Sequence, residues 1–99
     1  MARESLYKAG YREPRAWKPE PAGSKAREES KRPSWGYLNP ASKTYPVVVE
    51  RDGEWYYSLT GAVAAYRRAI LNNDRETAAK ALRLINRLRR EKDLEPWSG

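Results

Sequence analysis

Lys80, Arg83, Arg87 and Arg90 recur at spacings of three, four and three residues. On an α-helix that spacing lines the cations into one row about 15 Å long, at a rise of about 1.5 Å per residue. Such a row binds anions. Its groups suit phosphates or carboxylates, and they read backbone charge rather than base identity. The plainer alternative is a solvated helix face, with Glu76 four residues before Lys80 as a supporting pair. Arg67 and Arg68 extend the basic surface from a neighbouring segment. Little other chemistry is open to the chain. It has no His and no Cys. That removes the commonest general base, the thiolate nucleophiles, the usual zinc ligands and any disulfide. Glu50, Asp52 and Glu54 alternate around a tight turn, a pattern that marks solvated turn acids more often than a metal site. The single glycine of Thr60-Gly61 falls short of a phosphate-cradling loop. No catalytic residue, metal site or cofactor is expected, and the protein is not expected to be an enzyme.

A second constellation mixes rings with cations. Tyr11, Arg15 and Trp17 form one group; Arg32, Trp35 and Tyr37 form another. Aromatic side chains stack on bases or fill protein pockets, while neighbouring cations meet phosphates or carboxylates. These six residues are candidates for docking a partner. The competing reading for the second group is that Trp35, Tyr37 and Leu38 pack back as missing core.

The elements that must position these residues follow from pattern. Residues 1–44 hold five of the seven prolines, at positions 14, 19, 21, 33 and 40. Their aliphatic residues are few beyond Leu6 and Leu38. Such a segment buries too little apolar surface to offset its ordering entropy, so it reads as an extended arm, disordered when alone. Its middle, 22–31, is a mixed-charge connector with some helical potential. Residues 45–99 read as a compact unit. Val47-Val48-Val49-Glu50 and Trp55-Tyr56-Tyr57 are strand formers around Asp52-Gly53, a strong two-residue turn signal. That turn sets Arg51 opposite Glu54, Glu50 opposite Trp55, Val49 opposite Tyr56 and Val48 opposite Tyr57. Both hairpin faces are then apolar: one covers the helices, and the other needs the arm or a partner.

Ser58 or Thr60 caps a first helix running to about Asn72, with Leu59, Ala62, Val63, Tyr66, Ala69 and Ile70 as its stripe. Asp74 caps a second, whose apolar arc is Ala78, Ala81, Leu82, Leu84, Ile85 and Leu88. The break Asn72-Asn73-Asp74 is short enough to turn that helix back antiparallel. Trp97 is expected to fold back onto the core. The fold class is α+β: a small C-terminal β-hairpin plus an antiparallel two-helix hairpin, with a long extended N-terminal arm.

Lys and Arg total 20 against 13 Asp and Glu, a net charge of +7. That surplus favours polyanionic partners. The expectation is a non-catalytic accessory or structural component of a ribonucleoprotein-like assembly, with RNA ahead of DNA. It would grip the phosphate backbone with Lys80, Arg83, Arg87, Arg90, Arg67 and Arg68, and dock by the aromatic arm. The alternative is a protein-docking subunit or regulator, such as a virion component or a polymerase-binding factor, whose arm clamps a protein. No apolar run approaches the length of a membrane span, so no membrane partner is expected. Neither is a secretory signal, given the absence of an apolar leader, nor a mitochondrial presequence, given Glu4, Glu13 and Glu20. The expected location is cytoplasmic, or within a virion or organelle assembly.

Overall fold

A computed structural model describes residues 3–17 and 31–99. The connector over 22–30 lies outside the described residues. Among the described residues the order is a 3-10 turn Ser34–Gly36, strands β1 (Tyr37–Asn39), β2 (Thr44–Pro46), β3 (Val48–Arg51) and β4 (Glu54–Tyr57), and helices α1 (Leu59–Leu71) and α2 (Arg75–Glu91). Two antiparallel two-stranded sheets, β1–β2 and β3–β4, accompany the helix pair. The architecture is α+β.

Local chemistry sets the second hairpin. Asp52 and Gly53 both sit at positive φ, 52° and 83°, the backbone that a type I′ turn requires. The resulting register pairs Val48 with Tyr57, Val49 with Tyr56, Glu50 with Trp55 and Arg51 with Glu54, as the turn dictates. Helix α1 begins at Ser58, whose Oγ accepts from Gly61 N at 3.0 Å. Helix α2 begins at Asp74, whose carboxylate accepts from Thr77 N at 3.0 Å and from Thr77 Oγ1 at 2.7 Å. Those two bonds hold the Asp74 carboxyl below its ordinary value. Val47, Val48, Ala62, Ala65, Ile85 and Leu88 form the core, where the two helices meet the β3 end. Trp97 folds back on it, with its ring edge-on to Tyr66 at 5.2 Å. Its backbone is held by the amide of Asn86, at 2.6 and 2.9 Å.

The leading residues behave differently from an arm lying free of the body. Leu6 is fully buried, and Tyr37 is only 3% exposed. Ser5 makes a parallel bridge to Tyr57, with Leu6 N donating to Tyr57 O and Tyr57 N donating to Glu4 O, each at 2.9 Å. This isolated bridge covers part of the open edge of β4. The physical reason is that a lone hairpin leaves an edge of unpaired amides and two apolar faces, and is marginal without cover. Trp35 and Leu38 pack against the core, as the alternative for the second aromatic group requires. Strand β1 precedes residue 44 and β2 spans it, so one hairpin straddles the change in composition. Asn39 ties that hairpin to α2: its Nδ2 donates to Thr77 Oγ1 at 3.0 Å, and its Oδ1 accepts from Lys80 Nζ at 3.2 Å.

Candidate nucleic-acid interface

The cation row on α2 divides into two pairs. Lys80 and Arg87 lie on the edge of the helix that faces the body. Lys80 donates to Asn39. Arg87 donates to Arg3 O at 3.1 Å, lies 3.9 Å from Glu91 Oε2, and covers the Tyr57 ring at 5.2 Å. Arg83 and Arg90 point away. They are exposed, and with Ala79, Leu82 and Asn86 they line a shallow hollow of about 550 Å³. The split follows from angle. At about 100° per residue, positions 80 and 87 lie about 20° apart, as do 83 and 90, and the two pairs are separated by about 40° or more.

Arg67 and Arg68 are also exposed. They border a groove of about 380 Å³ walled by Ala64, Ala65 and Leu71 of α1, Tyr45 and Pro46 of β2, and Trp17. Leu71 is 85% exposed and Ile70 50%. Ile70 belongs to the expected core stripe, but it sits in the last turn of α1, where nothing among the described residues covers it fully. Tyr45 enters the groove wall with φ at +62°, a left-handed backbone that is costly for a bulky aromatic residue. Its hydroxyl accepts from Asn72 Nδ2 at 2.9 Å, which anchors the ring to the end of α1.

Trp17 is held in the groove by a chain of contacts. Glu13 completes the α1 cap from 45 residues before Ser58: its carboxylate accepts from Ser58 Oγ at 2.7 Å, Leu59 N at 2.8 Å and Thr60 N at 3.4 Å. Thr60 Oγ1 donates to Pro14 O at 3.2 Å. Negative charge is favoured at a helix N-terminus, so the segment before Trp17 is clamped onto α1. The indole then lies against Gly61, where a Cβ would be 2.5 Å from Trp17 Cζ3. Only glycine leaves room for the ring at that distance.

The remaining docking candidates lie elsewhere. Tyr11 packs tilted against Tyr56, with ring centroids 5.4 Å apart, and donates its hydroxyl to Asp52. That hydrogen bond raises the Tyr11 pKa above its ordinary value, with desolvation adding to it. Arg15 is exposed. Arg32 lies over Tyr37 at 5.8 Å and Trp55 at 5.5 Å and donates to Val48 O at 3.3 Å. Trp35 is edge-on to Tyr57 at 5.4 Å. Tyr11, Arg32, Trp35 and Tyr37 therefore hold this chain together, leaving Arg15 and Trp17 beside open surface. Sequence reasoning missed Tyr45, Pro46, Ala64 and Leu71 as groove walls. Leu71 carried a usable signal: it lies off the apolar stripe of α1, three and four residues from Arg68 and Arg67, on their side of the helix.

Among the described residues no group of His, Cys, Asp or Glu is arranged to hold a metal ion, and no helix is long and apolar enough to cross a membrane. Comparison with protein-family models, with curated proteins and with solved structures gave no match.

Proposed function

We propose that this protein is a non-catalytic component of a nucleic-acid-containing assembly, with RNA ahead of DNA, that binds the phosphate backbone through Arg67, Arg68, Arg83 and Arg90. The supporting observation is charge left over after the fold is satisfied. These arginines are exposed, and among the described residues they have no acidic partner. Glu13, Asp52, Asp74 and Glu91 are meanwhile engaged in caps and contacts of the body. Exposed guanidinium groups on helix faces suit phosphates, without base reading. Lys80 and Arg87 become secondary contributors, since each already has a partner within the chain.

The test is binding of an RNA duplex and a DNA duplex at two salt concentrations. Wild type is compared with a variant carrying Arg→Gln at 67, 68, 83 and 90. Affinity should fall with salt at a log–log slope of about 0.9 per phosphate neutralised on B-DNA. The variant should bind more weakly and lose up to about 3.6 units of that slope on B-DNA, about 0.9 for each of the four arginines. Equal binding by both proteins, or none by either, would remove the reading.

The protein-docking alternative keeps one observation in its favour, the exposed Leu71 and Ile70 beside the groove. As a clamp it rests on Arg15 and Trp17 alone.

A further inference from the structure

We propose that the groove between α1 and β2 is a seat for an unpaired nucleotide, so that the protein prefers single-stranded nucleic acid, or a strand end, to a continuous duplex. This rests on the backbone-binding reading and adds a base to it. Three features converge. The groove, at about 380 Å³, is of the size that takes small ligands. Two of its walls are aromatic rings from separate segments, Trp17 and Tyr45, and a ring wall receives the face of any base whatever its sequence. Its rim carries Arg67 and Arg68, and among the described residues no acidic side chain lines it. The occupant therefore joins a flat apolar part to an anion within one short span, as a nucleotide does.

A lone acidic peptide would also meet a ring and a cation. The rest of the molecule favours nucleic acid. Net charge is +7, and Arg83 and Arg90 offer a second exposed cationic surface on α2. One ligand serving both surfaces must carry regularly repeated negative charge. A duplex fits the groove poorly, because its bases are stacked inside and present no free face. A single strand supplies both parts.

Both rings of the groove are held by contacts within the chain. Gly61 lets Trp17 lie on the helix. Tyr45 keeps its unfavourable backbone while its hydroxyl is tied to Asn72. Both rings are thus fixed before a ligand arrives, which lowers the ordering cost of binding.

The experiment measures binding of an oligouridylate of about 12 nucleotides, and of an RNA duplex of the same length, to the full chain at one low salt concentration. Four proteins are compared: wild type, Trp17→Ala, Ala64→Gln and the double variant Arg83→Gln/Arg90→Gln. Ala64→Gln fills the groove from an outer helix position without changing charge, and it covers the case in which Trp17→Ala disturbs folding. Helical circular dichroism monitors the fold of each. The expected result is that Trp17→Ala and Ala64→Gln weaken single-strand binding by about 5- to 150-fold, the range for losing one stacked base. Duplex binding by these variants stays within about twofold of wild type, while the double arginine variant weakens both ligands.

If the groove variants weaken single strand and duplex by the same factor, or neither, the nucleotide seat is overturned and backbone binding stands. If wild type binds neither ligand, both readings fall. An acidic, leucine-containing peptide that binds wild type and not Ala64→Gln, with oligouridylate binding unaffected, would assign the groove to a protein partner and overturn the proposal. So would a wild-type dimer in sedimentation that Ala64→Gln dissolves, which would seat a second copy there.

Discussion

Glu13 is the residue on which the position of Trp17 depends. Its carboxylate satisfies two amides of the first turn of α1 and the hydroxyl of Ser58, and Ser58 is itself fully buried. Removing the carboxylate leaves a buried hydroxyl and an exposed helix end without their acceptor. Glu13→Ala should destabilise the fold by about 2 kcal/mol, the scale of hydrogen bonds to a charged group. Glu13→Gln, which keeps one acceptor oxygen, should cost about half as much. Urea unfolding reads both as a lower midpoint at unchanged slope. Midpoints equal to wild type would show that water replaces the carboxylate without loss. None of this could be foreseen from Glu13 itself. An acid among prolines and arginines carries no mark of the helix it serves, because its partner is 45 residues away and the helix already had a local cap in Ser58.

At the scale of elements, the legible parts are those whose causes are neighbours in sequence. Asp52-Gly53 fixes the β3–β4 register within four residues, and Asp74 starts α2 within three. The β1–β2 hairpin is the counterexample. Lys43 in its turn and Tyr45 within β2 adopt positive φ, 53° and 62°, without a glycine, so the stretch lacks the usual mark of a hairpin. Packing against α1 and α2, through Asn72 and Asn39, holds it instead. The cation row shows the same limit. Helical periodicity places Lys80, Arg83, Arg87 and Arg90 on one side, but which of them stay free depends on β1 and the first residues of the chain. The caps make a pH prediction. The Asp74 carboxyl is depressed below 3.8 by its bonds to Thr77, so its charged form is favoured in the folded state. That contribution is fully present above the unfolded value and is lost as pH falls through the folded one. Asn is itself a good cap, so Asp74→Asn isolates the charge. The stability gap between wild type and Asp74→Asn should be constant from neutral pH down to about pH 5 and should close as pH falls below about 4. A gap that persists unchanged at the acid end would place the effect in shape rather than charge.

For the molecule as a whole, the question is whether the body stands without its first residues. Composition suggests a self-sufficient C-terminal unit, and a deletion through residue 40 would on that view spare the helices. The packing argues otherwise. Leu6 is one of the largest fully buried side chains, and the backbone on either side of Ser5 bonds to the edge of β4 at Tyr57. Arg3 O holds Arg87, Tyr11 covers Tyr56, and Glu13 caps α1. A domain of this size keeps only about 5–15 kcal/mol of net stability. Leu6→Ala should cost about 3 kcal/mol of it through lost burial and the cavity left behind. Deleting residues 1–17 removes that burial, the edge pairing and the cap together, a loss comparable to the whole. The truncated chain should therefore lose cooperative urea unfolding and much of its helical circular dichroism, while Leu6→Ala unfolds cooperatively at a lower urea midpoint. A truncated chain that unfolds as sharply as wild type would restore the picture of an independent body with a detachable leader. It would also free Trp17 and Arg15 to act on a partner at a distance from the groove.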